Sequence, residues 1–234
     1  MDGLIGFGQN DNKVLRKTSN FKAQGGNSYH LSLAWWPGFE DGNLDFTATS
    51  PHFMAKNRVY IKGVGYILTR GNEFNDIAGN TPRMSIATIV VKWPTDKKGA
   101  LNKTALKNGD YEVLIWVMGR DKYSQLADIH AESSFGEGDL KVTCTDTNFQ
   151  KMTFIPKRNN LLKTLVDGNN PIATDILEQV KTLADNVENS IGRNLTLDAV
   201  REKLGMEIEG ATTGGLTADI GDISDVLDDH LDGI

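Results

Sequence analysis

The chain is predicted to be mainly β: a curled antiparallel barrel with helices at its C-terminal end, a flexible arm before it and an acidic tail after it. Three observations lead there. Between Tyr29 and about Ile155, short runs rich in β-branched and aromatic residues are separated by Gly, Asn, Asp and Pro, the punctuation of an antiparallel sheet. After Pro156 the apolar period lengthens from two to that of a helix. Charge is also segregated: residues 1–165 hold 21 basic against 16 acidic side chains, and residues 166–234 hold 4 against 15.

Taken in order, residues 1–28 are rich in glycine and asparagine, have no apolar period and carry a basic patch that includes Lys13, Arg16 and Lys17. They are expected to form a flexible basic arm. Residues 29–165 are expected to form the core, with strands at Tyr29–Trp36, Leu44–Thr47, Arg58–Thr69, Ser85–Lys92, Tyr111–Met118, Asp139–Thr145 and Lys151–Ile155. The third run contains Gly63 and Gly65, which inside a strand mark a bulge or bend where the sheet curls. One helix, Lys122–Glu132, is expected to interrupt the strands.

Residues 166–208 are expected to be helical and packed on the core. Ile172, Ile176, Leu177, Val180, Leu183, Ala184, Val187 and Ile191 form one stripe along Pro171–Ile191, with proline in the first turn and Gly192 just beyond. A shorter helix, Leu197–Leu204, follows Thr196 as N-cap and ends before Gly205. Residues 209–234 are expected to be a glycine-containing linker and a tail.

Composition excludes several classes. With 39% apolar residues the chain can bury a core, and a single cysteine, Cys144, can make neither an internal disulfide nor a cysteine-rich zinc site. No apolar run reaches the roughly 18 residues of a membrane helix, and the N-terminus has no signal-peptide pattern. A cytoplasmic protein without a membrane partner is expected. The four histidines are scattered, no phosphate-binding GxxxxGK[ST] loop is present, and no family signature surrounds Cys144. The expectation is a protein with no cofactor, no metal and no catalytic site.

What remains is a basic, aromatic body. Trp35, Trp36, Tyr60, Tyr66 and Trp93 are interleaved with Arg58, Lys62, Arg70, Arg83, Lys92, Arg120 and Lys122. Aromatic faces stack unpaired bases for about 1–3 kcal/mol each, while lysine and arginine neutralise phosphates, and neither contact demands a base sequence. Along Arg58–Leu68, strand alternation places Arg58, Tyr60, Lys62, Val64 and Tyr66 on one face and Val59, Ile61 and Ile67 on the other. The first face mixes cations with rings, and Tyr60 and Tyr66 lead the candidates.

The tail has its own pattern. Asp219, Asp222, Asp225, Asp228, Asp229 and Asp232 occupy the last 16 residues without a lysine or arginine. Ile220, Ile223, Leu227 and Leu231 interrupt them at spacings of three and four, which form one stripe when the segment is helical. Such a segment suits folding onto a basic, apolar groove of a partner, and it is expected to compete with a nucleic acid for the basic body.

Ile89–Pro94, Tyr111–Met118, the helix near Lys122–Ile129, Lys141–Cys144, Asn148-Phe149 and Met152–Phe154 together resemble the second half of the OB-fold core in single-stranded DNA-binding proteins of the T-even phage type. Leu15-Arg16-Lys17-Thr18-Ser19 is similar to the basic, hydroxyl-rich motif through which that family self-associates, and the aspartate-rich end resembles its partner-recruiting tail. The family's cysteine- and histidine-based zinc site has no counterpart here. The resemblance implies an OB-like core, non-catalytic and cooperative coating of single-stranded DNA, self-association along the strand, and recruitment of replication or recombination proteins in the host cytoplasm. The alternative is a virion structural or assembly protein with a β-sandwich body and a helical, acidic C-terminus.

Overall fold

The computed structural model describes residues 20–96, 99–145 and 151–206. The chain divides into two compact units, Met1–Asn194 and Leu195–Ile234. The basic motif at Lys13, Arg16 and Lys17 and the six aspartates of the tail lie outside the described residues.

The first unit is built on seven strands: β1 (Ser28–Leu33), β2 (Met54–Ile61), β3 (Gly65–Leu68), β4 (Arg83–Trp93), β5 (Glu112–Gly119), β6 (Leu140–Cys144) and β7 (Met152–Pro156). They form one antiparallel sheet in the order β3-β2-β4-β1-β6-β7, with β5 on β4. The 11-residue β4 is its spine. One of its flanks pairs with β5 from Ser85 to Lys92, while the other is divided between β2, opposite Arg83–Ala87, and β1, opposite Val90–Trp93. Ile86, Ala87, Thr88, Ile89, Val90 and Val91 are all buried, because β4 is covered on both faces, and that is why the strand reads as a continuous apolar run.

The expected barrel does not close. Among the described residues no ladder joins β3, β5 and β7, and two of these edges are already engaged by irregular segments. Arg193 N–H donates to the Tyr66 carbonyl and Leu68 N–H to the Arg193 carbonyl along β3. Phe21 N–H donates to the Ile115 carbonyl along β5. An edge whose main-chain groups are paired this way cannot accept another strand.

Four boundaries also differ from expectation. Arg58–Thr69 is a hairpin rather than one bent strand, because Gly63 and Gly65 take φ of 88° and 101°, values open to glycine, and reverse the chain. Leu44–Thr47 is irregular: the Asp45 carboxylate accepts from both the main-chain N–H and the hydroxyl of Thr47, a local turn that competes with a ladder. The arm ends sooner than residue 28, since Phe21 is buried edge-on against Tyr29 and Trp116 and Ala23 is buried beside it. The amphipathic stripe after Pro171 is two helices, because Asn186, a weak helix former, turns its side chain back onto the Thr182 carbonyl.

The helices are α1 (Asn75–Ala78), α2 (Lys103–Lys107), α3 (Arg120–Glu132), α4 (Leu161–Asp167), α5 (Pro171–Ala184) and α6 (Val187–Ile191). Asn160 caps α4 by accepting from Lys163 N–H, and Asn170 caps α5 by accepting from Ile172 N–H. Ile176 and Val180 of α5 and Val187 and Ile191 of α6 are fully buried, with α5 on β4 and β5 and α6 on β2, β4 and β5. The second unit contains α7 (Leu197–Lys203), capped by the Thr196 hydroxyl, which accepts from Ala199 N–H.

One polar cluster is built into the core. The Asp139 carboxylate, wholly buried, accepts from His30 Nε2 at 2.6 Å, from the Ser32 hydroxyl, and from Leu161 N–H at 3.1 Å. Trp93 Nε1–H donates to Ser32 Oγ at 2.7 Å, and Lys157 Nζ lies 3.3 Å from His30 Nδ1. The cluster ties β1 and β4 to the start of α4. With its acceptors filled by donors, Asp139 is compensated for its burial.

Candidate nucleic-acid interface

The hairpin β2–β3 places two rings side by side. Tyr60 pairs directly with Tyr66 across it, so both side chains project from the same face. They are 49% and 48% exposed, with centroids 5.2 Å apart and planes at 64°. The opposite face of the hairpin carries Val59, Ile61 and Ile67, all buried. Alternation therefore sorts these positions as the sequence pattern indicates. It fails at Val64, which is buried because it sits in the reversal rather than in a strand.

Arg58 belongs to the same face. Its guanidinium lies 3.9 Å from the Tyr66 ring centroid, and Nη1 donates to the Ile191 carbonyl at the end of α6, 2.8 Å away. Burial pushes this guanidinium below its ordinary pKa, opposed by Tyr66. It remains charged at any physiological pH.

The register of β2 on β4 puts Arg83 directly opposite Arg58. Two like charges so paired repel each other across the strands, a cost that a shared anion removes. Arg83 and Lys62 are exposed and make no ion pair among the described residues. Arg120 follows Gly119, which pairs with Ser85, so it stands at the same end of the sheet as Arg83. The nearby Glu73 is engaged locally, accepting from the Thr69 hydroxyl and Arg70 N–H.

The hairpin is held from behind. Arg193 Nη2 donates to the Val64 carbonyl, and the main chain of Arg193 pairs with Tyr66 and Leu68. Gly192 makes that approach possible, since a Cβ there would lie 3.2 Å from Leu68 N and 3.3 Å from the Ile67 carbonyl carbon. Asn80 Nδ2 also donates to the Tyr60 carbonyl, at 3.0 Å. None of these three residues has a local sequence signal for the role, because each acts through a contact distant in the chain.

The other candidates are placed elsewhere. Trp36 and Trp93 are core: both are essentially fully buried, with their indole N–H groups given to the Leu33 carbonyl and the Ser32 hydroxyl, so neither has a face free for a base. Lys92 is half-buried and paired with Glu112 at 2.9 Å. Arg70 is exposed just beyond the end of β3, and Lys122 is half-buried in the first turn of α3. Trp35, half-buried, lines a separate cleft. Met84 is exposed beside Arg83 on β4, and nothing in a strand pattern distinguishes it from a core methionine.

Among the described residues no group of three or more His, Cys, Asp or Glu is placed to hold a metal ion, and no helix is long and apolar enough to cross a membrane. No protein-family model matches the chain, and neither a curated protein nor a solved structure matches it.

Proposed function

We propose that this protein binds single-stranded DNA without catalysis and with little base preference, and that the β2–β3 hairpin is the core of its binding surface. One observation carries the reading: two half-exposed tyrosines stand together on a face that also holds Arg58 and Arg83 opposite each other, with Lys62 in the turn. Exposed rings beside cations left without acidic partners provide stacking and phosphate neutralisation in one place, and the repulsion between the arginines is relieved by a bound phosphate.

Around this surface the other elements take the roles that the resemblance implies. The arm with Lys13, Arg16 and Lys17 links neighbouring copies along a strand. The aspartate tail competes with DNA for the basic surface and, once displaced, recruits replication or recombination proteins. A tethered tail acts at an effective concentration that reaches the millimolar range, so its competition is strong at low salt and fades as salt screens it.

The test is the anisotropy of a labelled oligo-dT titrated with the full chain at several salt concentrations, beside a duplex of equal length. Preferred binding of the single strand with a steep salt slope is expected. Equal affinity for both forms, or an affinity that salt does not change, overturns the reading.

A further inference from the structure

The second aromatic cluster lies at the other end of β2. Trp35, Phe39, Phe53 and His52 line an open cleft of about 670 Å³ against the C-terminal end of α5, a size typical of sites for small ligands or single side chains. Trp35, Phe39 and His52 form an edge-on triangle, with centroids 5.6 Å apart for Trp35–His52, 6.4 Å for Trp35–Phe39 and 6.3 Å for Phe39–His52.

The main chain fixes these walls. His52 N–H donates to the Trp35 carbonyl at 2.6 Å, and the His52 carbonyl accepts from the Thr88 hydroxyl of β4. The Trp35 indole N–H is buried without a hydrogen-bond partner among the described residues.

The charges at the rim decide what the cleft takes. Glu40 and Asp185 both line it, against one ammonium, Lys181, and none of the three makes an ion pair among the described residues. A nucleotide would bring its phosphate to a rim with an excess of carboxylate. A cation gains on both counts, because ring faces and carboxylates both attract it.

We propose that this cleft is a cation-binding cage that accepts an arginine side chain of a partner protein, with the rings as walls and Glu40 and Asp185 as counter-charges. The site is separate from the β2–β3 hairpin and does not depend on the single-strand reading, so a partner can be held while the hairpin is occupied.

The test follows the indole ¹H–¹⁵N resonances of the full chain while a peptide of glycine, serine and one central arginine is added. The Trp35 signal is assigned from Trp35→Phe, and the buried Trp36, Trp93 and Trp116 serve as internal references. The Trp35 resonance should move and those of the other three stay. Combining Glu40→Gln with Asp185→Asn should weaken the response about fivefold or more, and Lys181→Ala should strengthen it about two- to threefold. A peptide with citrulline in place of arginine should bind at least fivefold more weakly. The proposal is overturned if Trp35 does not respond, if citrulline serves equally well, or if oligo-dT moves Trp35 and Lys181→Ala weakens that response, an outcome that makes the cleft a nucleotide site. Failure of the hairpin reading shows instead in oligo-dT affinity and leaves the peptide response untouched.

Discussion

Replacing Tyr60 or Tyr66 by alanine separates a stacking platform from a packing pair. The rings are half-exposed and meet edge-on at 5.2 Å, too close and too steeply inclined to admit a base between them. Arg58 covers one face of Tyr66 at 3.9 Å. The pair is therefore one bent platform, and the double variant should lose less than the sum of the singles. Each single change should weaken oligo-dT binding by about 1–2 kcal/mol, roughly 5- to 30-fold, within the range for one stacked base. Stability should fall less for Tyr60→Ala, which removes an edge-on ring contact of about 0.5–1.5 kcal/mol. Tyr66→Ala also removes the Arg58 contact, about 0.5–1 kcal/mol at a partly exposed site.

Salt supplies an independent magnitude. Lys62, Arg83 and Arg120 are exposed, and three neutralised phosphates on a single strand correspond to a log–log slope near −2, or about 20-fold in affinity between 50 and 200 mM salt. The tyrosine variants should keep that slope, since they remove no charge. Anisotropy with labelled oligo-dT reads affinity and slope, and urea unfolding reads stability. The reasoning is refuted if both single variants stay folded and bind within twofold of the parent chain.

Three further outcomes follow from the same geometry. Asp139→Ala leaves the His30 imidazole N–H, the Ser32 hydroxyl and Leu161 N–H without their buried acceptor and should cost about 3–5 kcal/mol in urea unfolding; a loss below 1 kcal/mol would mean that water takes the place of the carboxylate. Gly192→Ala brings a methyl against the β3 backbone and should cost about 1–3 kcal/mol, and because the same segment braces the hairpin, oligo-dT affinity should fall with it; unchanged stability would show that the close approach relaxes freely. Tyr111, whose hydroxyl donates to the Asp175 carboxylate, is pushed up from its ordinary pKa by burial and then by that carboxylate. Its contribution to stability is complete below about pH 10, the unfolded value, and is lost as pH rises through the higher folded value. In an ultraviolet titration, Tyr111→Phe should remove a late-ionising phenol, and loss of an early one instead would contradict the assignment.

Periodicity alone determined the antiparallel β character of the body, the helical C-terminal stretch and the division of Arg58–Leu68 into a buried face at Val59, Ile61 and Ile67 and a polar face at Arg58, Tyr60 and Tyr66. A period of two assigns faces without reference to any partner, and for that reason the exposed ring pair was legible before any fold was known. The fate of the tryptophans was not. Trp35, Trp36 and Trp93 are chemically equivalent in the chain, yet one walls a cleft and two are buried posts, because burial depends on which distant element covers a face. Tertiary structure also decided that the sheet stays open, since Phe21 and Arg193 reach its edges from far along the chain. It likewise placed Arg83 opposite Arg58 and Asp139 beneath His30 and Ser32. Pairings across 25 to 109 residues are set by register and packing, and a local pattern carries no record of them.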